Sequence, residues 1–217
     1  MAMAWRPFDG AVIDPILALA RASWDRADLD ATWAAAGWPM PWGRSVATGV
    51  FENGDYAFGV GSYVVTLAMR FEPVEEITGF GVAYATLCDE ADVDDPDVRE
   101  FVSAAVGEGW SGDIGALRPE FDDNWRTALG RLTGRLGQPD VTGTHSPEWR
   151  HAVWRLGDRL IALVQGENFD SYGWLDDASL WVLHHPAAAE IPRGERFYAF
   201  LCGDTDPNEL AGSAHPP

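Results

Sequence analysis

Apolar positions near the N-terminus fall in a helical rhythm. Ile16, Leu17, Leu19 and Ala20 follow Ile13-Asp14-Pro15. Asp14 at the N-cap with Pro15 at the first helical position predicts a helix that fades near Arg26. A second short helix is predicted from Leu29 through Ala36, capped by Asp28 and stopped by Gly37 with Pro39 beyond. Trp38-Pro39-Met40-Pro41-Trp42 carries two prolines in five residues and reads as a loop.

From Val46 the rhythm changes to that of strands. Val46 to Glu52 and Asp55 to Val60 flank Asn53-Gly54, a type I′ hairpin signal because both turn residues tolerate φ > 0. Tyr63 to Glu72 is a predicted strand ended by Pro73, and Ile77 to Leu87 another. Gly79 and Gly81 in the latter point to a bulge or a close backbone approach. Four successive strands with short connections predict an antiparallel meander.

Asp95-Pro96 repeats the cap-and-proline start and opens a helix through Val106, broken by Gly107, Gly109 and Gly112. A longer helix is predicted from Pro119 to Leu136. Its Trp125, Leu129, Leu132 and Leu136 step by four, three and four, onto one face. Gly130 and Gly134 inside it each cost about 1 kcal/mol against Ala, so a neighbour packs close there or the helix leans on its core contacts. Glu148 to Leu156, a Gly157-Asp158 turn and Arg159 to Gln165 predict a hairpin. Leu180 to His185 and Arg196 to Leu201 read as further strands. The tail from Asp204 is polar and Pro-rich and reads as frayed. With neither a Ser/Gly-rich linker nor an internal repeat, the expected organisation is one α+β domain over residues 1–203: an antiparallel sheet, meander plus C-terminal hairpin, flanked by helices.

Composition adds sign and partner class. Apolar residues make up 47% and aromatics 12%, enough for a folded core. No apolar run approaches the ~20 residues that cross a bilayer, and Met1 to Phe8 has no signal-peptide character, so a soluble cytoplasmic chain is expected. Asp and Glu number 34 against 15 basic residues, a net charge of −19. All the basic residues are Arg, which with the Ala, Gly and Asp richness reads as the codon bias of a high-GC genome. Such acidity argues against nucleic acid, whose phosphates need clustered cations, and against anionic membranes. It favours a basic protein partner.

Catalytic and metal motifs are missing from the sequence. There is no phosphate loop, no G-x-S-x-G and no H-E-x-x-H; Gly79-Phe80-Gly81 is a fragment of a dinucleotide fingerprint. The acidic run Asp89 to Asp97 lacks the Gly and the alternating ligands of a calcium loop. His184 and His185 are strand neighbours pointing to opposite faces, one expected buried and one exposed. Cys88 and Cys202 match no metal spacing and read as small buried residues. No metal and no cofactor is expected.

Charge layout remains. Asp89 to Asp123 holds twelve acids and two Arg, and Arg126 to Arg159 holds six Arg against three acids. The expected partner-binding face is the loop with Asp89, Glu90, Asp92, Asp94, Asp95 and Asp97, the turn around Trp110, and the helix start with Asp122 and Asp123. Trp110, or Tyr172 and Trp174 beside Asp170, Asp176 and Asp177, would serve as aromatic anchors.

Asp28-Leu29 with Ala35-Ala36-Gly37-Trp38, Leu129-Gly130-Arg131-Leu132 with Leu136-Gly137-Gln138-Pro139, and Trp149-Arg150 before a closing hairpin resemble uncharacterised acidic proteins of high-GC Gram-positive bacteria. The order of elements is also similar to the secretion-chaperone-like α+β fold, a curved antiparallel sheet flanked by helices. The resemblance implies an immunity protein or a chaperone-like partner of a secreted toxin, and it brings no functional residue with it. Two other classes stay open: a homo-oligomeric scaffold such as a homodimer, and a small-molecule binder or enzyme with an aromatic-lined pocket holding His151, His184 or His185.

Overall fold

The computed structural model describes residues 1–60, 63–68, 77–88, 96–168 and 175–203. The chain opens on a strand that its local pattern does not announce, β1 (Ala2–Trp5). Helix α1 (Gly10–Leu19) begins earlier than Asp14-Pro15 suggested. Asp9 is the cap, its carboxylate accepting from the Ala11 amide at 2.9 Å, and Pro15 sits inside the helix. The buried set Val12, Ile13, Ile16, Leu17 and Leu19 repeats at helical spacing on both sides of Pro15, and its packing carries the helix through the missing N–H. Helix α2 (Leu29–Ala35) lies where expected, and Gly37 beyond it has φ +81°. Pro41–Gly43 forms a 3₁₀ turn in the predicted loop.

The hairpin expected around Asn53-Gly54 does not form. Val46–Thr48 is a helical turn, α3, capped by Ser45, and it runs on into a π-helical turn, Gly49–Asn53. Gly54 ends that turn at φ +73°, ψ +24°. A left-handed glycine suits a helix C-terminus as well as a type I′ turn, so Asn-Gly alone could not decide between them. Val46, Ala47 and Val50 are buried at helical, not alternating, spacing.

The strands β2 (Ala57–Val60), β3 (Tyr63–Leu67) and β4 (Gly79–Cys88) then form a meander of three. Next come α4 (Pro96–Gly107), β5 (Ser111–Asp113) and α5 (Arg118–Leu136). They are followed by β6 (Val141–Thr144), β7 (Arg150–Leu156), β8 (Arg159–Glu167), β9 (Leu175–His184) and α6 (Glu195–Leu201). Arg196 to Leu201 is therefore a helix, not a strand. Its aromatic residues suit strands, but Phe197, Phe200 and Leu201 are the buried ones, at a spacing that only a helix puts on one side.

All pairing is antiparallel in one nine-stranded sheet, ordered β2-β3-β4-β9-β8-β7-β6. The architecture is α+β, a single antiparallel sheet flanked by helices. β4 is its branch point. One edge of β4 pairs with β9 throughout; the other pairs with β3 through Phe80–Val82 and with β1 through Ala85–Cys88. A register shift between Ala83 and Ala85 marks a bulge at Tyr84, where the two edge partners meet. β1 in turn carries β5 on its outer side.

On one face, Phe80, Val82, Leu163, Leu180 and Val182 join α1, α2 and the apolar side of α5 in the main core. On the other, Val153, Leu160, Ala162, Val164 and Leu183 lie under α6, while Ala2 and Cys88 lie under Val98 and Val102 of α4. Within α5, Phe121, Trp125, Ala128 and Leu132 are buried, with Leu129 and Leu136 packed partly against the core. Gly130 and Gly134 face open space, so no neighbour demands them. The glycines of β4 are different. A Cβ at Gly81 would fall 2.5 Å from the Trp181 ring, and one at Gly79 would fall 2.6 Å from Leu183 Cδ2. These are the close approaches expected of them. Among the described residues no helix is long and apolar enough to cross a membrane.

Candidate functional site

Three elements on different sides of one sheet edge carry the acid. β5 is the outermost strand there, α4 packs on it from one side, and α5 starts four residues after it on the other. Val102 and Val106 of α4 seat on Gly112 so tightly that a Cβ there would meet Val102 Cγ1 at 2.5 Å. From Pro96 to Asp123, Asp97, Glu100, Glu108, Asp113, Glu120 and Asp123 are all exposed, and the only exposed arginine is Arg99. Two of the four large apolar side chains exposed in the described structure also lie here, Val106 and Leu117, at 49% and 52%. Trp110 between them is half-buried.

The expected site residues have different fates. Asp89, Glu90, Asp92, Asp94 and Asp95 lie outside the described residues, as do Asp170, Tyr172 and Trp174. Asp97 sits in the first turn of α4, where a carboxylate favours the helix dipole. Asp123 is exposed and pairs with Arg126. Asp122 turns inward. Its carboxylate accepts from Arg118 Nε at 3.2 Å, Arg150 Nη2 at 3.0 Å and Gln165 Nε2 at 3.1 Å. Arg118 also grips Asp176 and donates to the Glu148 carbonyl at 2.8 Å. Asp122 thus ties α5 to β7 and β8, and its charge is spent inside the molecule. Its neighbour Asp176 is spent the same way, and Asp177 accepts from Thr86 Oγ1 at 2.7 Å.

The same inward turn is taken by several cations. Arg155 donates to the Pro186 and Ala189 carbonyls at 3.0 and 2.7 Å and contacts His185 Nδ1, pinning the loop after β9. Arg159 lies 4.2 Å from the Trp24 ring. Arg6 is 3% exposed, with its guanidinium carbon 4.0 Å from the Tyr63 ring centre and 4.7 Å from that of Trp110. Its Nη2 donates to the Glu108 carbonyl at 3.3 Å, at the C-terminal end of α4, where a cation suits the dipole. Burial pulls the Arg6 guanidinium below its ordinary pKa, against the pull of Tyr63 and Glu108. Arg6, Arg155 and Arg159 are thus held inside the fold by carbonyls and aromatic rings, whereas exposed Arg126 pairs with Asp123 at the surface.

Among the described residues the histidines form no reactive set. His151 on β7 stacks on Phe197 at 4.6 Å, and burial pushes its pKa down to about 4. Neither of its ring nitrogens has a hydrogen-bond partner among the described residues. His185 is buried against Phe200, also pulled down first by burial and then by Arg155, and His184 is exposed. One buried and one exposed histidine is the expected outcome for that pair. His145 stacks on Tyr198 at 4.6 Å. Cys88 is buried, Cys202 half-buried, and neither is in a disulfide. Among the described residues no group of three or more His, Cys, Asp or Glu is placed to hold a metal. A cavity of about 20 Å³ lies by the π-helical turn, lined by Arg44, Ser45, Thr48 and Asp55 among others. That is room for about one water and far below the ~300 Å³ at which ligand pockets begin.

Comparison with protein-family models, with curated proteins and with solved structures gives no match for this chain.

Proposed function

We propose that this chain is a protein-binding module that takes a basic protein partner on the surface formed by α4, β5 and the start of α5. One observation carries the reading: between Pro96 and Asp123 six acids and a single arginine are exposed, and the same stretch carries exposed Val106 and Leu117 and half-buried Trp110. Exposed apolar side chains among like charges supply the two parts of an interface, apolar anchors and a charged rim. The rim steers a cationic partner and rejects anionic ones, and the anchors supply the desolvated contact. An immunity-type inhibitor, or a chaperone-like partner of a secreted toxin, is the most concrete role with these needs. It would cover a cationic, anion-seeking site on its target.

The test is affinity capture from the native host with two baits, the wild-type chain and Glu100→Lys combined with Glu108→Lys. Both side chains are exposed, and among the described residues neither pairs with an arginine side chain. A basic protein retained by the wild type and lost by the double variant supports the reading. A partner retained equally by both removes the acidic surface from the account. A toxin-like gene directly upstream would favour the immunity role, and a metabolic operon would count against it.

A further inference from the structure

We propose that Arg6 is the base of a carboxylate-binding site, closed in this structure by Trp110. Arg6 follows β1 at the branch point of the sheet, its amide donating to the Tyr84 carbonyl at 2.8 Å. The side chain is almost wholly buried, yet among the described residues Nε and Nη1 have no acceptor at hydrogen-bond geometry, with Tyr63 the polar side chain that raises its pKa. A buried cation with idle donors is a costly arrangement, because charge taken out of water is normally held by a paired anion and by hydrogen bonds. The rings of Tyr63 and Trp110 lie against the guanidinium, and the Glu108 carbonyl takes one of its N–H groups. The remaining N–H groups lie in the guanidinium plane. A flat anion that brings oxygens into that plane matches them, which is the geometry of a carboxylate.

Trp110 is the cover. It is half-exposed and is carried on a glycine-rich turn, with Gly109 at φ +88° just before it and Gly112 two residues on. An outward rotation of its indole would open the side of Arg6 that the ring now covers. The surrounding acids repel a free anion at long range. A carboxylate carried on a cationic molecule meets no such barrier, and the C-terminal carboxylate of a Lys-rich chain is such a group. This site stands independently of the docking surface proposed above, because its readout is a resonance of Arg6 itself.

The experiment follows the arginine Nε–Hε resonances of the ¹⁵N-labelled full chain during titration with sodium acetate, chloride being withdrawn to hold ionic strength constant. Arg6 is the resonance lost in R6K; should R6K not fold, it is the one displaced in W110A. The expected result is a saturable shift of the Arg6 resonance, with a Kd on the order of 1 mM, several-fold larger than any shift of the exposed Arg131. A Lys-rich peptide with a free C-terminus should reproduce the shift at lower concentration, and its C-terminal amide should not. Acetate acting while neither peptide does would assign the site to small free acids. An Arg6 resonance that drifts linearly alongside Arg131, or one shifted equally by the amide, would overturn the proposal.

Discussion

Replacing Asp122 by Asn tests whether the acids of this chain divide into internal and external sets. Asp122 has a side-chain exposure of 16% and accepts charge-assisted bonds from Arg118 and Arg150 and a third bond from Gln165. Asn keeps one acceptor oxygen but turns an NH₂ group toward one of the guanidinium groups, leaving two half-buried cations short of an anion. Hydrogen bonds to charged groups contribute roughly 1.5–3 kcal/mol each, and water entering the partly open site recovers some of the loss. The expected cost is about 2–4 kcal/mol. At this chain length each kcal/mol moves the midpoint by roughly 2–4 °C, so Tm should fall by roughly 4–16 °C. Urea unfolding should show a lower midpoint with an unchanged slope. Asp123→Asn is the control: that side chain is 71% exposed and holds only Arg126, so its loss should stay within about 0.5 kcal/mol. If the two variants unfolded at the same urea concentration, the internal network would carry no weight and the division of acids would be wrong.

Other outcomes follow from the same structure. Gly130→Ala and Gly134→Ala fill open space on α5 and should each raise stability by about 0.5–1 kcal/mol in thermal unfolding. Gly81→Ala should cost about 1–3 kcal/mol and shift tryptophan emission, because the new methyl displaces the Trp181 ring. His151 has its pKa lowered from 6.5 to about 4, so between those values the unfolded chain binds the extra proton. Its contribution is fully present above about pH 6.5 and is lost as pH falls toward 4, by about 3 kcal/mol in all. His151→Phe removes this term, and its stability advantage over wild type should grow steadily from pH 6.5 down to 4 in urea titrations.

Most elements with one strong local signal were legible in the sequence. The hairpin at Gly157-Asp158, the apolar stripe of α5 and the Asp28 and Gly37 limits of α2 all agree with the fold, because pattern and punctuation point the same way there. Two segments with β-rich composition folded as helix, Val46–Asn53 and Glu195–Leu201. In both, the positions that are buried repeat at helical spacing, and composition outweighed that spacing in the reading. β1, β5 and β6 are three- or four-residue strands whose pairing depends on distant partners, so nothing local announces them. The site divided in the same way. Sequence order located the acid-rich stretch, but it could not tell that Asp122 is consumed by two arginines, nor that Arg6 reaches Trp110 across more than a hundred residues.

The exposed acids of α4, β5 and the start of α5 are proposed to select a cationic partner. The most direct test is the affinity of the captured partner for wild type and for Glu100→Lys with Glu108→Lys, measured across a series of NaCl concentrations. Wild-type affinity should fall steeply with salt, and the double variant should bind at least about tenfold more weakly at low salt, with a flatter dependence. Equal affinities with equal salt slopes would contradict the account.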